Sequence, residues 1–86
     1  MRKTYTVMNP AGIHARPARK IVDAAAQYPC NTYLVKNGNA YNAKSLVNMI
    51  SIGARFGDQI VVIADGQDAE AAMEAIGAVL TCPSLK

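Results

Sequence analysis

Three observations in this 86-residue sequence predict an α+β fold, an open-faced β-sandwich whose four-stranded antiparallel sheet carries three helices on one face. Segments with strand-like alternation or β-branched runs are interspersed with segments of helical period. Two of the strand segments are joined by Asn37-Gly38, a strong tight-hairpin signal. Each longer helical segment also confines its apolar residues to one stripe, so the helices have a face to bury against the sheet. The resulting order is β-α-β-β-α-β-α within a single domain spanning residues 1–86.

The first strand is residues 2–8, where Tyr5 and Val7 alternate with Thr4 and Thr6. Asn9-Pro10-Ala11-Gly12 ends it. From about Ala15 to Gln27, Ala18, Ile21, Val22 and Ala25 recur at i, i+3, i+4 and i+7, while Arg19, Lys20, Asp23 and Gln27 fill the polar remainder. Pro17 is compatible only with the first turn of that helix, and Tyr28-Pro29 closes it because the residue before a proline is pushed out of the helical region. Residues 31–36 and 39–43 form the hairpin strands. Ser45 is a natural N-cap for a short helix over Leu46 to Ile52, which Gly53 terminates. Residues 54–58 are loop, and Gln59 to Ala64, with its Ile-Val-Val-Ile run, is the most buried strand. After the Asp65-Gly66 turn, Asp68 caps a last helix through Leu80, with Ala69, Ala72, Met73, Ile76 and Leu80 facing inward.

Composition narrows the function classes. The net charge is +3, but the basic residues are scattered, which disfavours a nucleic-acid patch and suits an acidic protein partner or a phosphate. Interleaved aromatics of the kind that stack on bases are also missing. No apolar run is long enough to span a bilayer. Cys30 and Cys82 lie far apart with no secretory segment, so reduced thiols in a cytoplasmic protein are expected, and two cysteines with one histidine offer no metal-ligand spacing. No cofactor motif is present.

The chemistry concentrates in Gly12-Ile13-His14-Ala15-Arg16-Pro17-Ala18, which holds the single histidine. A neutral imidazole is a good nucleophile and its phosphoramidate remains a ready donor, which suits a residue that must both accept and release a phosphoryl group. The helix start around Ala15, Arg16 and Pro17 supplies free amides to phosphoryl oxygens, although Pro17 itself has no N–H. The guanidinium of Arg16 can offset charge that develops on those oxygens.

That segment, together with Ala43-Lys44-Ser45-Leu46, Ser51-Ile52-Gly53-Ala54, Gly57-Asp58 and the Ala-rich last helix, resembles the HPr phosphocarrier proteins of the bacterial phosphoenolpyruvate-dependent sugar phosphotransferase system. The resemblance covers nearly the whole chain. It implies a monomeric carrier, with a phosphohistidine intermediate, rather than a free-standing enzyme. His14 would accept a phosphoryl group on Nδ1 from enzyme I and pass it to IIA domains of sugar permeases, with Arg16 assisting. Ser45 matches the regulatory serine, which in many Gram-positive bacteria is the target of an HPr kinase/phosphorylase and links the family to a catabolite-control transcription factor. Leu46, Val47 and Ile50 are implied as the exposed, partner-binding side of the short helix, with Met49 and Ile52 turned elsewhere. A rival within the same family is a regulatory module that acts through phospho-Ser45 in carbon catabolite control. The catabolite-repression relative of HPr lacks the histidine, so His14 argues against that role. Arg19 and Lys20, in a turn that varies among members, bear on partner preference rather than chemistry.

Overall fold

The computed structural model describes residues 1–83; Ser84, Leu85 and Lys86 lie outside the described residues. Strands β1 (Arg2–Thr6), β2 (Asn31–Lys36), β3 (Asn39–Asn42) and β4 (Gln59–Asp65) form one sheet in the order β1-β4-β2-β3. All three pairings are antiparallel. Helices α1 (Ala15–Ala26), α2 (Leu46–Ser51) and α3 (Ala69–Leu80) complete the chain in the expected β-α-β-β-α-β-α order.

Alternation along β4 explains which side of the sheet is covered. Ile60, Val62 and Ala64 are fully buried beneath the helices, whereas Val61 and Ile63 on the other face are half-buried. In β2, Thr32 and Leu34 point the same way as Ile60 and Val62 and meet Ala18, Ile21 and Ala25 of α1 and Ala72, Ile76 and Leu80 of α3 in one core. Burying a Leu or Ile side chain is worth about 1.5–3 kcal/mol, so this shared layer fixes where the helices lie. Helix α3 lies close to β1 because residue 77 is glycine: a Cβ there would fall inside the Tyr5 ring.

Several boundaries differ from those read in the sequence. Strand β1 stops at Thr6 instead of residue 8, because the chain then leaves the sheet and bonds to other partners: Val7 N–H donates to Asp58 O (2.8 Å) and Met8 N–H to Leu80 O (2.8 Å). Ile52 caps α2 instead of belonging to it, and Gly53 follows with φ +64°, the left-handed conformation that ends a helix. Asp68 occupies the N-cap position of α3 but its side chain makes no capping bond. Its backbone is left-handed (φ 62°, ψ 26°), whereas a capping side chain reaches the first-turn amides from extended backbone. Glu70 in the first turn supplies the charge that complements the helix dipole.

Candidate functional site

His14 is the N-cap residue of α1, with extended backbone (φ −112°, ψ −161°) and a half-buried side chain that makes no capping hydrogen bond. The first bond into the helix runs from Ala18 N–H to His14 O, at 2.9 Å. The N–H groups of Ala15 and Arg16 come before that bond and Pro17 has none, so two donors at the positive end of the helix are left beside the imidazole. An N-cap serine or aspartate would have used its own oxygen on the second of them, the Arg16 amide. Histidine at this position leaves them for an incoming anion.

Two backbone features place this helix start. Asn9, fully buried, donates through Nδ2 to Val79 O (2.9 Å) and Cys82 O (3.0 Å) at the end of α3, and its carbonyl accepts from Gly12 N–H (3.0 Å). Gly12 then turns with φ +74° and packs directly on the segment after α2, where Ile13 N–H donates to Ala54 O at 2.9 Å. A Cβ on residue 12 would stand 2.5 Å from Ala54 O and 3.0 Å from Arg55 Cα. Glycine is therefore required by both conformation and space. Arg16 is exposed and forms no ion pair among the described residues, and Pro17 is buried under the helix start. Arg19 and Lys20 are also exposed, with Arg19 paired to Asp23 at 3.4 Å.

Ser45 caps α2 from extended backbone (φ −107°, ψ 116°). Its Oγ accepts from Asn48 N–H (3.2 Å) and again from Asn48 Nδ2 (2.9 Å), while Asn48 Oδ1 accepts from Asn42 N–H (3.4 Å). Lys44, just before it, donates to Tyr28 O (2.8 Å) and ties the start of α2 to the end of α1. Sequence reading overlooked Asn48, although a polar residue three positions after a Ser N-cap is a recognisable capping arrangement. On α2, Val47 is 73% exposed, Ile50 49% and Leu46 36%, whereas Met49 and Ile52 are buried in the core. The structure thus brings Leu46, Val47 and Ile50 to the surface of one short helix, with Ser45 at its start.

Other possible sites are poorly furnished. A shallow depression of about 290 Å³ is lined by Lys36, Asn37, Arg55, Asp58 and Gln59 and does not include His14. Among the described residues no group of three His, Cys, Asp or Glu side chains could hold a metal ion, and no helix is long and apolar enough to cross a membrane. Cys30 is a buried free thiol packed against the turn at Gly66.

A half-buried histidine without a capping bond, set at a helix start beside an exposed arginine, defines a small α+β protein with an uncapped, histidine-led helix start at its surface. Comparison with known proteins gives that class a family. The model of the phosphotransferase-system HPr component phosphorylation site matches residues 1–81. The phosphocarrier protein HPr of Treponema pallidum is 39% identical over 74 residues, covering 86% of this chain and 84% of that protein. Among solved structures, HPr from Bacillus anthracis superposes with a TM-score of 0.88 at 32% identity, covering 93% of this chain and 95% of the other. The catabolite repression protein Crh of Bacillus subtilis superposes with a TM-score of 0.77 at 31% identity, covering 90% and 88%. The chain belongs to the HPr family of phosphocarriers of the phosphotransferase system.

Proposed function

We propose that this chain, a single HPr-like domain, is a cytoplasmic phosphocarrier that alternates between His14 and phospho-His14. Nδ1 of the neutral imidazole attacks the phosphorus held by phosphorylated enzyme I. As the new P–N bond forms, the bond to the donor breaks, and the donor's leaving group takes the electron pair. Transfer to a IIA domain of a sugar permease reverses the roles. The Ala15 and Arg16 amides receive the phosphoryl oxygens, with the helix dipole adding about 0.3–1 kcal/mol at an exposed site. The guanidinium of Arg16 offsets charge in the transition state, and with no ion pair among the described residues it is available to do so. The observation that carries the reading is the uncapped helix start at His14, where the nucleophile and the anion donors stand together.

Leu46, Val47 and Ile50 form the docking face for these partners, an apolar surface on a helix too short to bury residues all round. Ser45 is the regulatory site. A phosphate there adds about −1.5 to −2 charges at a helix N-terminus, which the helix tolerates, so inhibition arises from repulsion by an acidic surface on enzyme I. An HPr kinase/phosphorylase and a catabolite-control transcription factor are the further partners this reading admits, and the carrier acts as a monomer. The likeness to Crh favours one second reading, a module working only through phospho-Ser45. Incubation with enzyme I and labelled phosphoenolpyruvate separates the two. The carrier acquires acid-labile label that His14→Ala abolishes, and a purely regulatory module acquires none.

A further inference from the structure

Lys36 and Asp58 do not belong to the site described above, yet their bonds converge on the segment that supports it. Lys36, at the end of β2, donates through Nζ to Gly53 O at 2.9 Å and lies 3.4 Å from Asp58 Oδ2. The same Oδ2 accepts the Arg55 N–H at 2.8 Å, and Asp58 N–H returns a bond to Arg55 O at 3.0 Å. Beyond it, Asp58 O accepts from Val7 N–H and Gly57 N–H donates to Val7 O, each at 2.8 Å. The seven-residue link between α2 and β4 is thus tied to Lys36 at the end of β2 and to Val7 just beyond β1. Its middle carries Ala54 O, the acceptor for Ile13 N–H, and the backbone surface against which Gly12 is pressed.

We propose that Lys36 and Asp58 are positioning residues for His14, holding the link between α2 and β4 as the fixed floor on which Gly12 and Ile13 set the direction of the imidazole. The proposal rests on the phosphocarrier reading for its functional consequence, but its structural half stands without any partner. The two side chains are partly exposed (22% for Lys36 and 35% for Asp58), so their ion pair adds little to global stability. Their effect is local, because a small misplacement of a reacting group is costly to rate even where the fold is kept. The Arg55 N–H above all, against the opposing effect of desolvation and with the Lys36 hydrogen bond and the charges of Lys36 and Arg55 adding to it, holds the Asp58 carboxyl below its ordinary value. The acceptor therefore stays ionised through the neutral range.

Amide hydrogen exchange of Ile13 reads the clamp directly. In Asp58→Ala the Ile13 amide is expected to exchange about tenfold faster than in the wild type, while the Ile76 amide in the middle of α3 is unchanged. The rate of His14 phosphorylation by enzyme I is expected to fall roughly fivefold. Asp58→Asn, which keeps an acceptor for Arg55 N–H, is expected to lie between. The exchanged pair Lys36→Glu with Asp58→Lys restores opposite charges but neither backbone bond, so it is expected to behave like Asp58→Ala. Rescue by this pair, or unchanged Ile13 exchange in folded Asp58→Ala, overturns the proposal. Should Asp58→Ala fail to fold, Lys36→Met provides the same measurement, since it removes the Gly53 bond and the ion pair together. A wild type that takes no phosphate contradicts the phosphocarrier reading, while Ile13 exchange still decides the clamp.

Discussion

Substitution of Gly12 by alanine tests how the His14 loop is held. Residue 12 has φ +74°, where a residue with a Cβ costs about 1–2 kcal/mol relative to glycine. The added methyl would also stand 2.5 Å from Ala54 O and 3.0 Å from Arg55 Cα. Both are backbone atoms, so relief requires the two segments to separate. Separation stretches the 2.9 Å Ile13 N–H to Ala54 O bond, and losing a buried backbone bond of this kind costs about 1 kcal/mol net. The sum is about 2–3 kcal/mol. For a domain of this size that lowers Tm by roughly 10–20 °C. Thermal unfolding followed by circular dichroism measures it, and phosphorylation by enzyme I should fall in the same variant at temperatures where it remains folded. A Gly12→Ala protein that melts within 2 °C of the wild type would refute the steric reasoning.

Other expectations follow from single features of the structure. Ser45→Ala removes the acceptor of both Asn48 bonds and should cost about 1 kcal/mol, or roughly 4–8 °C in Tm, whereas Ser45→Asp should keep most of the stability yet slow acceptance from enzyme I. Val47→Asp, at the most exposed apolar residue of α2, should change stability by less than about 0.5 kcal/mol. The same variant should weaken phosphoryl transfer to and from partners about tenfold, measured as kcat/KM with this protein as substrate. Asp58 has a depressed folded pKa, so its contribution is present above the ordinary carboxylate value of about 3.9 and is lost as pH falls through the folded value. Any Tm difference between wild type and Asp58→Asn should accordingly be constant from about pH 5 to 8 and shrink below about pH 4. A difference that instead grows with acidity would contradict the ion pair.

Much of this could be read from residues because local pattern and tertiary burial agree. The Ile-Val-Val-Ile run in Gln59 to Ala64 marks the buried strand, the stripe Ala18, Ile21, Ala25 names the face its helix buries, and Asn37-Gly38 sets the hairpin, with Asn37 at φ 51° and Gly38 at φ 81°. The sequence places His14 at a helix start, just before a proline-marked first turn, and the structure has it there as the N-cap residue of α1. Asp68 shows the opposite case: its type suits an N-cap, but the turn after Gly66 brings it into left-handed backbone, and the side chain loses its role. The supports of the site were not legible. Ile13 meets Ala54 across some forty positions, Asn9 reaches the end of α3, and Lys36 meets Asp58 only once β2 and β4 pair. Such bonds depend on topology, and no local spacing announces them.

The central claim is that the phosphoryl group sits on Nδ1 of His14 under the amides of Ala15 and Arg16. Nitrogen-15 NMR of the protein before and after phosphorylation by enzyme I tests it most directly. Phosphorylation is predicted to place the phosphorus coupling on Nδ1 of His14 and not on Nε2, and to move the Ala15 and Arg16 amide resonances more than any in α3. Phosphate on another residue, or Ala15 and Arg16 amides that stay where they were, would contradict it.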